Sequence, residues 1–278
     1  MIEEVKLQLK KNANTIRMDI IEETHSAKSG HPGGSLSIAD ILAYLYFVEM
    51  NIDPKNPQWA ERDRFVLSKG HTAPALYSAL ARRGFFDPAE LINLRHIGSF
   101  LQGHPDMKHT PGVDMSTGSL GQGISAACGM ALSAKKSGAS YRVYTILGDG
   151  EIEEGQVWEA LMFAAHYKLD NLCVVVDDNG LQIDGPVAEV MNSASIQEKA
   201  KAFGLHVIDM DGHDFDSIEK AFNEAKGISG KPSLIVAKTV KGKGVSFMEN
   251  QVSWHGSAPN DEQKEIALNE LKEAAKCL

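Results

Sequence analysis

Between residues 142 and 237 short apolar runs alternate with segments of helical periodicity, and this alternation limits the fold more than any other feature. Strands are expected at 142–147, Leu172–Val176, His206–Met210 and Ser233–Ala237, and helices at 155–167, 195–203, 214–226 and 261–276. Strands that are apolar along their whole length, rather than at every second residue, are buried on both faces. Strand–helix alternation of this kind gives an α/β fold, a mostly parallel sheet with helices on both faces. Ligands of such sheets sit at the carboxyl ends of the strands.

The first half reads as helices and loops. Ile16, Ile20, Ile21 and Thr24 share one helical face, and Ser37 followed by Asp40 reads as the capped start of a helix running to Met50. Phe65–Leu67 is a short strand, followed by a helix from His71 to Arg83 that stops at Gly84, and Asp87-Pro88 opens another. Residues 100–118, rich in Gly, Pro, His and Asp, lack periodicity; a loop of that length in a compact domain usually carries function. A helix from Gly121 closes on Lys135-Lys136-Ser137-Gly138. No composition shift or repeat divides the 278 residues, which read as one domain.

Composition excludes several classes. A net charge of −9 with no basic run is wrong for a nucleic-acid backbone binder. The longest apolar run, Ile41–Val48, is too short to span a bilayer, and the charged start Met1-Ile-Glu-Glu lacks the apolar stretch of a secretory signal. Cys128, Cys173 and Cys277 have no metal-binding spacing and cannot all pair. A cytoplasmic protein without membrane or nucleic-acid partners is the expectation.

Two strand exits carry oxygen ligands. The first gives Gly148-Asp149-Gly150 and the second Asp177-Asp178-Asn179-Gly180-Leu181. Asp149, Asn179 and a carbonyl near Leu181 can supply part of the octahedral shell of a hard cation such as Mg²⁺. Gly150 lets a diphosphate approach the backbone, and the helix that follows favours its charge. Either segment taken alone also makes a good tight turn. The carboxylates after Gly150 are ambiguous as well, because acidic side chains favour the first turn of a helix.

Gly148-Asp149-Gly150 with Asp178-Asn179 resembles the thiamine diphosphate motif, and further words narrow the resemblance. Ser29-Gly-His-Pro-Gly-Gly34, Ser68-Lys-Gly-His71, Gly103-His-Pro105, Thr117-Gly-Ser-Leu-Gly-Gln-Gly123 and Trp254-His-Gly256 resemble transketolase, in the same order and across nearly the whole chain. The resemblance implies a thiamine-diphosphate-binding fold, with residues 1–278 as a single diphosphate-binding domain. It also implies that Asp149, Asn179 and the Leu181 carbonyl hold Mg²⁺, with Ca²⁺ or Mn²⁺ as alternatives. Gly150 would then contact the diphosphate, and Gly118, Ser119 and Leu120 would lie along the cofactor. Glu154 and Glu159 match acids on the hydrogen-bond path between paired sites, whereas Glu151 and Glu153 have no counterpart and read as solvated first-turn acids.

By the same resemblance His71 and His255 reach the diphosphate, His104 the donor's C1 hydroxyl, and His31 and His255 the sugar hydroxyls whose proton moves as C2–C3 breaks. Histidine's ordinary pKa near neutrality suits that work. The other six histidines match no motif and read as structural or surface residues.

The activity implied is transfer of a two-carbon ketol group from a ketose phosphate to an aldose phosphate, as in pentose phosphate metabolism. No pyrimidine-binding domain is recognisable, nor its glutamate, nor the arginines that clamp sugar phosphate. The chain therefore reads as the N-terminal subunit of a split transketolase, joined by a C-terminal partner subunit, with two copies of each. Lys241-Gly-Lys-Gly244 is more basic than the family's segment there and reads either as a solvated loop or as a closing element over the cofactor. The alternatives are the matching half of a deoxyxylulose-phosphate synthase, a 2-oxoacid dehydrogenase α subunit, or a cofactor-binding module inactive by itself.

Overall fold

Side-chain alternation along the strands divides the apolar residues between two cores. A computed structural model describes residues 1–278. Its strands are β1 (Arg64–Leu67), β2 (Val143–Gly148), β3 (Leu172–Asp178), β4 (Leu181–Gln182), β5 (Gly185–Pro186), β6 (His206–Asp211) and β7 (Ser233–Lys238). Five of them form one wholly parallel sheet in the order β1-β2-β3-β7-β6, while β4 and β5 make a separate antiparallel hairpin. Phe65, Tyr144, Ile146, Cys173, Val175 and Ile235 point to one face. Val66, Val143, Leu147, Val174, Val176 and Leu234 point to the other. Both faces are apolar because both are covered, as the unbroken hydrophobic runs required.

The helices that cover them are α1 (Glu3–Ala27), α2 (Pro32–Leu36), α3 (Ala39–Tyr44), α4 (Ala73–Arg83), α5 (Gln122–Ser137), α6 (Gly155–His166), α7 (Val187–Val190), α8 (Ile196–Ala202), α9 (Phe215–Gly227) and α10 (Asp261–Lys276). α1, α3, α4, α9 and α10 pack on the first face, and α5, α6 and α8 on the second. The α/β class, the parallel sheet and the order of elements agree with the sequence reading. The start of α3 does not. Ser37 caps nothing, because its hydroxyl donates to Gly34 O (3.0 Å) and to Asp177 (2.6 Å) instead.

Close packing ties the sequence words to one another. A Cβ on Gly70 would lie 2.7 Å from Thr117 Oγ1 and 2.8 Å from the Gly118 nitrogen, so only glycine lets residues 117–118 rest on the loop after β1. A Cβ on Gly33 would likewise lie 2.7 Å from the Trp254 carbonyl.

The buried carboxyl group of Glu23 lacks compensation. Glu23, on α1, is wholly enclosed and neither carboxyl oxygen has a partner. Arg82, whose charge favours the ionised carboxyl, is engaged by Asp19 at 2.6 and 2.8 Å. Burial first, and the Asp19 charge second, hold the Glu23 pKa well above its ordinary value. A pKa higher in the folded than in the unfolded state gives stability that is complete below the unfolded pKa and lost as pH rises toward the folded one. Glu23→Met should therefore raise unfolding stability at pH 8 by about 1–3 kcal/mol, the cost of an unsatisfied buried polar group. Denaturant titrations should show that gain shrinking toward pH 5.

Candidate active site

β3 ends on the carboxylate that organises the site. Asp177 is wholly buried and accepts from Lys69 Nζ (2.6 Å), Ser37 Oγ (2.6 Å), Asn179 Nδ2 (2.9 Å) and the Thr239 hydroxyl. Burial would raise its pKa, but the Lys69 ammonium and the two hydroxyls outweigh burial and hold it below the ordinary value. Lys69 itself is 2% exposed and also donates to Gly34 O at 2.8 Å. One ion pair thus ties the loops after β1, β3 and β7 to the start of α2.

Asp149, 3% exposed at the exit of β2, has no such partner. It accepts only backbone N–H groups, from Gly150 (2.9 Å) and Gly180 (2.5 Å). Burial and then the neighbouring Asp177 push its pKa up to about 7. Such a carboxylate is set up for a cation.

Glu151 overturns an expectation. It is no solvated helix-start acid: it is 2% exposed and accepts from Ser68 Oγ (2.6 Å), Gly121 N (2.9 Å) and Gly148 N (3.1 Å). Its charge serves three strand-end and helix-start donors rather than the helix dipole. Glu153 is half-buried and takes a hydrogen bond from Gln182 Nε2 at 2.8 Å.

His31, His71 and His255 form a triangle with ring centroids 5.1, 5.2 and 5.4 Å apart. Burial, then the Arg95 charge, lowers His31 to about 4; burial, then Lys241, lowers His255 to about 3. Burial and Lys69 take His71 well below its usual value. All three are neutral at pH 7, so the pKa near neutrality expected from histidine as a residue type does not hold here. His31 Nδ1 is enclosed and unpartnered. Lys241 is not solvated as a free loop would be: it is 2% exposed and donates to Leu181 O (3.1 Å) and His255 Nδ1 (3.0 Å). Burial, then Lys69, lowers its pKa to about 8.

These residues enclose a cleft of about 290 Å³ at the carboxyl ends of β1, β2, β3 and β7. Of the residues expected from sequence, His31, His71, Gly118, Leu120, Asp149, Gly150, Asn179, Leu181 and His255 line it together. His104 is exposed and stands behind Gly118, where an added Cβ would meet its ring at 3.1 Å. Ser119 and Glu154 are exposed and lie outside the cleft wall, and Glu159 is exposed on α6. Sequence reasoning missed Lys69, Glu151, Gln182 and Ile183 as wall residues. The lysine inside Ser68-Lys-Gly-His71 was the available signal for the first, since a lysine directly after a buried strand needs an anion.

The family model "Transketolase, thiamine diphosphate binding domain" matches residues 8–273. The chain is 49% identical over 270 residues to the 6-deoxy-6-sulfo-D-fructose transketolase subunit SqwG of Clostridium sp. (strain MSTE9), covering 97% of this chain and 98% of that one. It is 42% identical to one of the subunits of the apulose-4-phosphate transketolase of Phocaeicola vulgatus, covering 98% and 95% of the two chains. Among solved structures, transketolase from Campylobacter jejuni superposes with a TM-score of 0.91 at 36% identity, over 99% of this chain but 43% of that enzyme. The chain thus spans less than half the length of that transketolase.

Lys69→Met should leave the Asp177 charge buried without its cation. Breaking one side of a buried pair costs about 3–5 kcal/mol. Urea unfolding of the variant should show a loss of that size; a loss below about 1 kcal/mol, the worth of a single ordinary hydrogen bond, would mean the hydroxyls around Asp177 suffice.

Proposed function

This chain belongs to the transketolase family, whose thiamine diphosphate binding domain it carries, and we propose that it transfers two-carbon ketol groups from a ketose phosphate to an aldose phosphate. The observation that carries the reading is the cleft itself: a buried, cation-seeking carboxylate faces two buried ammonium groups and three neutral histidines. Relatives named as transketolase subunits favour ketol transfer over deoxyxylulose-phosphate synthesis or 2-oxoacid dehydrogenation. Those relatives have nearly this chain's length and are subunits, which supports a partner chain that completes the enzyme. A C-terminal transketolase subunit in a two-plus-two assembly remains the reading from resemblance. Cys128 and Cys173 are buried free thiols, in keeping with a cytoplasmic location.

The residues present fit the cofactor and its metal. Asp149 supplies a carboxylate whose ionised form needs a cation, and Asn179 and the Leu181 carbonyl flank it with further oxygens. Mg²⁺, or another oxygen-seeking divalent ion, matches that donor set. Gly150 brings backbone to the wall, and Lys69 and Lys241, in the same lining, would offset the charge of a diphosphate. Thiamine diphosphate, when bound, would supply a nucleophilic thiazolium carbon and an electron sink for cleavage of the C2–C3 bond. The chain's own work is orientation and proton movement. His31, uncharged and in the cleft wall, can accept a proton from a sugar hydroxyl, while Lys241 donates to His255 Nδ1 and so leaves the ring proton of neutral His255 on Nε2. Low solvent access raises the worth of each such contact.

Asp149→Ala should weaken thiamine diphosphate binding at least about tenfold when titrated with Mg²⁺ present, since it removes the one carboxylate of the proposed metal shell. His31→Ala should fold and bind cofactor yet lose about 10²-fold in kcat, the usual worth of one proton-transfer group. The deciding experiment is a ketol-transfer assay on the chain alone and after co-purification with its companion. Activity only with the companion and cofactor supports the split enzyme; full activity of the single chain, verified partner-free by mass spectrometry, would overturn it.

A further inference from the structure

We infer that His213 is a positioning residue that holds the Lys241 loop against the cleft, although it touches no part of the cleft itself. His213 follows β6, at the far edge of the sheet from β2. Both its ring nitrogens are committed. Nδ1 lies 2.8 Å from Asp40 Oδ2, and Nε2 lies 2.9 Å from the backbone nitrogen of Val240. A backbone N–H can only donate, so Nε2 must be the bare nitrogen and Nδ1 must carry the proton toward Asp40. Asp40 is buried and is also gripped by both terminal nitrogens of Arg17 on α1. The result is a chain of contacts, Arg17–Asp40–His213–Val240, that ends one residue before Lys241.

The loop gains a fixed start from this contact. Val240 is held by His213, Gly242 N donates to Gly33 O (2.9 Å), and Asn250 N closes back on Lys241 O (2.9 Å). Gly242 adopts φ +80°, and a Cβ there would come within 2.3 Å of the Met248 carbonyl, so the turn is tight and tolerates little shift. Lys241 must reach Leu181 O and His255 Nδ1 at hydrogen-bond distance from this one backbone position. If the Val240 N–H loses its acceptor, the loop's first anchor is gone and Lys241 no longer has a single place from which to bridge the two walls. The inference rests on the proposed function only in taking this cleft as the diphosphate site; the anchoring itself does not depend on it.

Two amide side chains separate the two hydrogen bonds of the ring. Asparagine places its amide near the Nδ1 position and keeps the Asp40 contact, while glutamine places its carbonyl oxygen near Nε2 and keeps an acceptor for Val240. Hydrogen exchange of the unliganded chain, followed by thiamine diphosphate titration with Mg²⁺ in the assembled enzyme, reads both consequences. With His213→Asn, exchange should rise about tenfold in residues 240–250 while β7 stays protected, and cofactor affinity should fall by about tenfold, the scale of one lost hydrogen bond at a part-buried donor. His213→Gln should stay within about twofold of the parent in both measurements, since it keeps an acceptor for the Val240 N–H. Wild-type behaviour of the Asn variant, or loss confined to the Gln variant, would show that His213 serves only as a partner for Asp40 and would overturn the inference. Equal loosening of 240–250 in both variants would overturn it too, because acceptor replacement would then not rescue. Failure of the parent enzyme to bind thiamine diphosphate would instead fail the functional reading and leave the exchange result to decide the anchoring.

Discussion

Everything at the strand ends depends on the buried pair between Lys69 and Asp177. A parallel sheet delivers its loops to one edge but does not by itself fix them there. Asp177 does so by accepting at once from the loop after β1, through Lys69, from the segment joining α2 to α3, through Ser37, and from the loop after β7, through Thr239. Such a pair contributes little net stability when formed, since two charges must leave water, but it is costly to break. Its value lies in register: the loops it joins can lie against each other in only one arrangement that satisfies this carboxylate. Glu151 repeats the device on the other side of β2, where one carboxylate collects Ser68, Gly121 and Gly148.

The same edge also sorts charge. Asp177 and Asp149 are strand-exit carboxylates with opposite fates, because one has an ammonium within hydrogen-bond reach and the other has only backbone N–H donors. Desolvation therefore outweighs those donors at Asp149 and raises its pKa, while Asp177 stays anionic. The histidines are kept neutral by burial, by the ammonium groups and by the guanidinium of Arg95, all of which penalise a further positive charge. A divalent cation with a diphosphate would answer both conditions at once: the metal compensates Asp149, and the phosphate oxygens compensate Lys69 and Lys241.

The fold was legible because its signals are local. Apolar runs bounded by turns place β2, β3, β6 and β7 close to where they form, and α10, with Asn260 and Gln263 capping each other reciprocally, falls where its periodicity put it. Residues of the site that sit inside recognisable words, such as His31, His71 and Asp149, were legible for the same reason. What escaped were side chains whose role is set by distant partners. Glu151 looks like any acid at a helix start until Ser68 and Gly121 are brought to it across the sheet. Ser37 looks like a cap until Asp177 takes its hydroxyl. Lys241 could belong to a solvated loop or to a closing element on sequence grounds, and only the approach of Leu181 and His255 shows its ammonium enclosed.

The two walls of the cleft differ in a way that bears on how the site is closed. The wall built from strand ends is polar and extensively hydrogen-bonded, whereas Leu120 and Ile183 leave apolar surface open to solvent, Ile183 being 62% exposed. Polar groups held in place by Asp177 and Glu151 can meet a diphosphate without rearrangement, so that end of the site is prepared before any ligand arrives. Apolar side chains at the rim gain nothing from water and are stabilised only when another surface covers them. Carbon–carbon bond cleavage with a stored electron pair also calls for exclusion of water, which would otherwise protonate the carbon. A partner surface resting on Leu120 and Ile183 would satisfy both demands together. Such a partner would link activity to assembly, because the rim it covered would be the rim of the proposed site.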